Sequence, residues 1–193
     1  MKKMAVVTST RADYGLLKYL LAQIRDHEAA ELHLIVTGTH FNPEFGNTVN
    51  EIIDDGFHID AAVEIETSDD TVNGVSRGYA DALIGATKAF ERIRPDVVIV
   101  LGDRYEILAI TVSALIFGVP IAHLHGGEVT SGAFDDAIRH AITKLANIHF
   151  VATNAYKNRV LQMGEDPKTV FLVGGLGVDS ISKTKFLTKS EVE

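Results

Sequence analysis

Short apolar runs alternate along this chain with longer stretches whose apolar positions recur at helical spacing. The short runs read as strands and the longer ones as amphipathic helices. In order, they predict strands at Ala5–Thr8, Leu32–Val36, Ala61–Ile65, Val97–Leu101, Ile121–Leu124, Ile148–Val151 and Val170–Val173. Helices are predicted near Tyr14–Asp26, Glu44–Asp55, Val75–Ile93, Tyr105–Phe117, Phe134–Ala146 and Asn154–Met163. Such alternation is the mark of repeated β-α units around a parallel sheet, an α/β fold. Pro95 and Pro120 each precede a strand, so they end helices rather than break the sheet.

Composition narrows the picture. The 193 residues suffice for one α/β domain with a sizeable core. No apolar tract is long enough to cross a membrane, and the run after Lys2 and Lys3 is too short for a signal peptide, so Met4–Val7 reads as a first core strand. The absence of cysteine removes disulfide and thiolate chemistry and fits a reducing cytoplasm. A net charge of −8 argues against a nucleic-acid binder, yet local arginines and helix N-termini can hold an anionic small ligand. No linker interrupts the chain before Gly177, after which Asp179–Glu193 turns polar without a clear partner strand.

Candidate chemistry gathers at the turns that follow the predicted strands, the rim where open α/β sheets bind ligands. The first turn, Thr8–Gly15, has neither G-x-G-x-x-G nor P-loop spacing. Its hydroxyls, Arg11 and Asp13 suit either a phosphate or sugar contact or a plain helix cap. His40 in the second turn reads as a pocket residue or a solvated loop histidine. Asp103 in VLGDRYE is an N-cap or a proton-transferring carboxylate, with Arg104 beside it as charge compensation. In HLHGGE, His123 and His125 are spaced to face one side of an extended strand, while Gly126 and Gly127 allow close backbone approach. Metal ligation with Glu128, acid–base work, and a core role for His123 all remain open there. On the helix from Phe134, an apolar stripe of Phe134, Ile138, Ala141, Ile142 and Leu145 leaves Asp135 and Arg139 at its border, with Asp136 and His140 turned outward. The glycines of VGGLGVD either frame a ligand or turn the chain.

Together STRADYG, VTGTHF, VLGDRYE, HLHGGE, FDDAIRHAITKLA and VGGLGVDSI strongly resemble, in order from Met4 to Ile181, the hydrolysing UDP-N-acetylglucosamine 2-epimerases of sialic-acid biosynthesis. The resemblance implies a three-layer Rossmann-like parallel sheet forming one lobe of a two-lobe GT-B enzyme. Residues 1–180 are expected to be the N-terminal lobe, and 181–193 the start of a connection to a C-terminal lobe absent from this sequence. It further implies a UDP-sugar substrate, no cofactor or metal, a cytoplasmic setting and a homodimer formed through this lobe. An isolated lobe is expected to turn over little or not at all. In the family's chemistry UDP leaves C1 as C2 loses its proton, and the resulting 2-acetamidoglucal is hydrated. Asp103 matches the aspartate of the family's G-D motif, Asp135 a catalytic acid, Arg139 the arginine one turn later, and Arg11 the first-turn arginine near the nucleotide. Many relatives carry glutamate where this chain has His125, so Glu128 is expected to share or take over that role. Asp13, His40, Arg104, Gly126 and Gly127 complete the expected substrate-binding set.

Overall fold

The computed structural model describes residues 1–183. Its strands are β1 (Lys2–Thr8), β2 (Ala30–Thr37), β3 (Ala61–Val63), β4 (Val97–Leu101), β5 (Ile121–Leu124), β6 (Ile148–Val151) and β7 (Val170–Leu172). The helices are α1 (Arg11–Arg25), α2 (Val49–Asp54), α3 (Val72–Ile93), α4 (Tyr105–Ile116), α5 (Asp135–Leu145), α6 (Asn154–Gln162) and α7 (Leu176–Lys183). The strands form one parallel sheet in the order β3-β2-β1-β4-β5-β6-β7, with Val6 of β1 level with Leu34 of β2 on one side and Ile99 of β4 on the other.

Alternation along each strand builds two cores. Val7, Ile35, Val98 and Val100 face one way and pack against Phe90 of α3, Ile107 and Ile110 of α4, and Ile142 of α5. Val6, Leu34, Val36, Ile99 and Leu124 face the other way, toward Tyr14, Leu17 and Leu21 of α1 and Ile52 of α2. The result is the expected three-layer Rossmann-like arrangement. No helix among the described residues is long and apolar enough to cross a membrane.

The departures from expectation have local causes. β1 and β2 begin earlier because the ladder continues through polar residues, pairing Lys2 with Ala30 and Lys3 with Glu31. The helix expected at Glu44–Asp55 is a 3-10 turn at Pro43–Phe45 followed by α2, because Gly46 (φ 87°) and Asn47 (φ 47°) both take left-handed backbone. The polar C-terminal segment begins with a helix: α7 returns across α1, the Ser180 hydroxyl donating to the Gly15 carbonyl at 3.1 Å. The rest of the expected connection, 184–193, lies outside the described residues.

Candidate active site

β1 is the strand from which the chain departs in both directions: β2 lies on one side of it, and β4 on the other. Loops leaving the carboxyl ends of such neighbours diverge and open a crevice. A cavity of about 350 Å³ lies there, walled by the β1–α1 turn, the β4–α4 turn, the segment after β5 and the first turns of α5. Asp103, His125, Glu128, Asp135 and Arg139 all line it, with Asp13 and Arg104. Larger hollows of about 400 and 740 Å³, beside β3 and beneath Pro95 and Pro120, hold none of these residues.

The first wall is fixed by Asp13. Thr10 caps α1 by accepting the Asp13 N–H, and the Asp13 carboxylate accepts from the Ser9 and Thr10 N–H groups, the Ser9 hydroxyl at 2.8 Å and the Thr8 hydroxyl. So many donors make Asp13 a brace for the turn. Arg11, expected near the nucleotide, is instead exposed and pairs with Glu51 at 2.9 Å, outside the cavity lining. His40 does not reach the cavity either. The chain after β2 folds inward, and His40 is fully buried between the hydroxyls of Thr8 at 3.0 Å and Thr48 at 2.8 Å. Burial holds its pKa below the usual histidine value.

The two histidines of HLHGGE diverge. β5 ends at Leu124 and His125 has φ 63°, a left-handed conformation that breaks strand alternation. His123 therefore turns into the core, donating from Nε2 to the Gly102 carbonyl at 2.8 Å, with Nδ1 3.2 Å from the Thr143 hydroxyl. His125 turns to the cavity, where Nδ1 lies 3.2 Å from Glu128 and Nε2 accepts the Leu176 N–H at 3.5 Å. Gly126 and Gly127 face protein. A Cβ on Gly126 would lie 3.1 Å from His123 Nδ1, and one on Gly127 2.6 Å from the Tyr156 carbonyl oxygen. They shape the turn and do not line the cavity.

α5 delivers the remaining groups. Arg139 is buried and ion-paired with Asp103, and it donates to the Thr130 hydroxyl at 3.1 Å. Asp136, expected to face outward, accepts the Thr130 N–H at 2.9 Å and so ties the Glu128–Phe134 loop to the helix. Phe134, placed on the apolar stripe by its spacing, is 63% exposed because α5 begins one residue later, at Asp135.

This arrangement drives the two central carboxyls apart. Burial raises the Asp103 pKa, and Asp135 and Glu128 add to it against the pull of Arg139. The hydrogen bond from His125 holds Glu128 below the ordinary carboxylate range. Asp103 therefore holds its proton to higher pH than an ordinary carboxyl, and Glu128 gives its proton up at lower pH, a divergence from which acid and base roles can be drawn.

Two predictions arise here. His123 is fully buried and its pKa is pulled down to about 4 by that burial. A histidine kept neutral in the fold stabilises it above its unfolded pKa, and that contribution is lost as pH falls. Unfolding stability is expected to drop by about 2 kcal/mol from this group between pH 6.5 and 5, and denaturant titrations of His123→Gln should lack that part of the slope. His125→Gly relieves left-handed strain, so a stability change within about 1 kcal/mol is expected. Loss of its hydrogen bond should raise the Glu128 pKa, read by NMR titration of the Glu128 carboxyl carbon.

Sequence reasoning missed Glu106. It occupies the first turn of α4 and reads as an ordinary helix-start acid, yet it is fully buried behind Arg104.

The comparisons with known proteins follow the same lines. The family model described as UDP-N-acetylglucosamine 2-epimerase matches residues 22–193. The chain is 43% identical to a UDP-N,N'-diacetylbacillosamine 2-epimerase (hydrolyzing) of Legionella pneumophila, over 97% of this chain and 50% of that protein. It is 40% identical to a GDP/UDP-N,N'-diacetylbacillosamine 2-epimerase (hydrolyzing) of Campylobacter jejuni, over 100% of this chain and 50% of that one. The UDP-GlcNAc 2-epimerase of Neisseria meningitidis bound to UDP-GlcNAc shares the fold at a TM-score of 0.82 and 19% identity, across 94% of this chain and 48% of that structure. The chain thus spans about half the length of the curated relatives it matches. The family match runs through every segment that builds the cavity except the β1–α1 turn, and this chain belongs to the UDP-N-acetylglucosamine 2-epimerase family.

Proposed function

We propose that this chain is the N-terminal lobe of a hydrolysing nucleotide-sugar 2-epimerase, acting on UDP-N-acetylglucosamine or a bacillosamine-type analogue. The observation that carries the reading is the single cavity joining Asp103, the His125–Glu128 pair, Asp135 and Arg139. Two relatives described as hydrolyzing, at 43% and 40% identity, support it.

In this mechanism Glu128, kept ionised by His125, takes the C2 proton. The C2–H electron pair forms the C1=C2 bond as the C1–O bond breaks, and UDP leaves with the C1–O bonding pair. Arg104 and Arg139 offset charge on the departing diphosphate. Asp103, whose pKa burial raises, then gives a proton to C2 from the opposite face. Water adds at C1 and passes a proton back to Asp103, and Glu128 releases the C2 proton to solvent, giving the 2-epimeric free sugar. Asp135 holds the developing positive charge at C1. Because the chain spans half of its relatives, it is expected to bind UDP yet turn over little on its own. Self-association belongs to the same reading, and exposed Ile84, Leu115, Ile116 and Phe117 on and just after α3 and α4 support it.

The test is calorimetric titration with UDP, paired with an assay for N-acetylmannosamine released from UDP-N-acetylglucosamine. Binding without turnover is the expected result. Failure to bind UDP would sink the proposal, and sustained turnover would overturn the requirement for a second lobe.

A further inference from the structure

Glu106 has no place in that mechanism, yet it is among the most expensive side chains in the molecule to keep. It has no solvent exposure although its neighbours Asp103 and Arg104 line the cavity. One carboxylate oxygen accepts the Arg104 Nε–H at 2.5 Å. The other is buried and has no hydrogen-bond partner among the described residues. A carboxylate removed from water and only half satisfied works against folding. An arginine that is 41% exposed does not need such a partner to be soluble.

The surroundings press the carboxylate into place. Gly38 passes so close that a Cβ there would lie 3.1 Å from the bonded Glu106 oxygen. Arg104 is engaged through Nε alone, and its two terminal nitrogens make no hydrogen bond to any described residue. The guanidinium is a rigid planar fork, so fixing Nε fixes the direction of both terminal groups. Burial pulls the Arg104 pKa down, and Glu106 more than reverses that pull, so the fork stays charged.

We propose that Glu106 is a positioning residue that grips Arg104 by its Nε, presenting the two terminal amino groups as a preset clamp for the diphosphate of a sugar nucleotide. This rests on the reading of the cavity as a nucleotide-sugar site and adds to it the device that orients the leaving group's cation. A flexible arginine would pay conformational entropy at each binding event, whereas a held fork forms two charge-assisted bonds at once.

The experiment uses the 193-residue chain and two readouts. NMR of the arginine Nε–H resonances, with Arg104→Lys to identify the signal, reports whether the grip exists without any ligand. Calorimetry with UDP and with inorganic pyrophosphate reports what the grip does. Wild type and Glu106→Gln, which keeps an acceptor for Nε, should both show a protected Arg104 Nε–H and bind UDP within about threefold of one another. Glu106→Leu should lose the protected signal and bind both ligands about tenfold more weakly. Arg104→Lys keeps the charge but has no Nε, and should be equally weak; it serves even where Glu106→Leu does not fold. An unprotected Nε–H in the wild type, or wild-type affinity in Glu106→Leu or Arg104→Lys, overturns the positioning role alone. A protected Nε–H with no binding of UDP or pyrophosphate by the wild type overturns the nucleotide reading and this inference with it.

Discussion

Arg139→Leu is expected to lower unfolding stability by about 3 kcal/mol at pH 8, and by clearly less at pH 5. Arg139 is the ion-pair partner of Asp103 and is buried at the head of α5. Leucine fills much of the same volume, so the loss comes from charge: Asp103 would be left partly buried near Asp135 and Glu128 with its main counter-ion gone. Its pKa, already raised by burial, would rise further. A carboxyl whose folded pKa lies above its unfolded value favours the fold when protonated, and that contribution, complete below the unfolded pKa, is lost as pH climbs through the folded pKa. The difference from wild type should therefore shrink as pH falls. Denaturant titrations at both pH values measure it, and Asp103→Asn in the Arg139→Leu background should recover most of the loss. An equal loss at pH 5 and pH 8 would mean that packing, not charge, is what Arg139 supplies.

Gly38→Ala is expected to cost about 3 kcal/mol, through left-handed strain and a steric clash together. Gly38 has φ +62°, and an added Cβ would sit 2.4 Å from the Ser9 carbonyl oxygen and 3.0 Å from the Ser9 side chain. Backbone must move to relieve that contact. Ser9 is the residue whose N–H and hydroxyl hold Asp13, so the displacement spreads into the first wall of the cavity. Thermal unfolding should show the stability loss, and UDP titration should show weaker binding in the protein that still folds. Gly56 also has positive φ but nothing lies within 4 Å of an added Cβ. Gly56→Ala should accordingly cost only the conformational part, about 1 kcal/mol.

Much of this molecule was legible before any coordinates. β4, β5 and β6 run where their apolar stretches run, because a strand buried on both faces announces itself residue by residue. Asp103, Glu128, Asp135 and Arg139 stood out because polar groups just past buried strands have little structural reason to recur at one rim. Tertiary contacts hid the rest. His40 lies in a loop by pattern, and only the inward fold after β2 reveals that its ring is enclosed by Thr8 and Thr48. The His123 and His125 spacing implied one shared face, and a single left-handed residue removed it. Glu106 was indistinguishable from a solvated first-turn acid, because Gly38, whose backbone passes close to its carboxylate, is distant in sequence. Leu176 gave no helix signal amid glycines, and α7 forms where it can pack along α1.

The placement of β1 has a consequence for how the molecule is made. Its ladder to β4 joins Met4 to Val97 and Val6 to Ile99, the longest leap between neighbouring strands in the sheet. Closing that seam is entropically slow, since contacts far apart in sequence must wait for the intervening chain to be gathered in. A ribosome must therefore deliver the chain through β4 before that seam can close, and through Arg139 before the rim is complete. Any molecule seated across the seam then acts as a staple, and amide exchange in β1 and β4 should slow in concert when it binds.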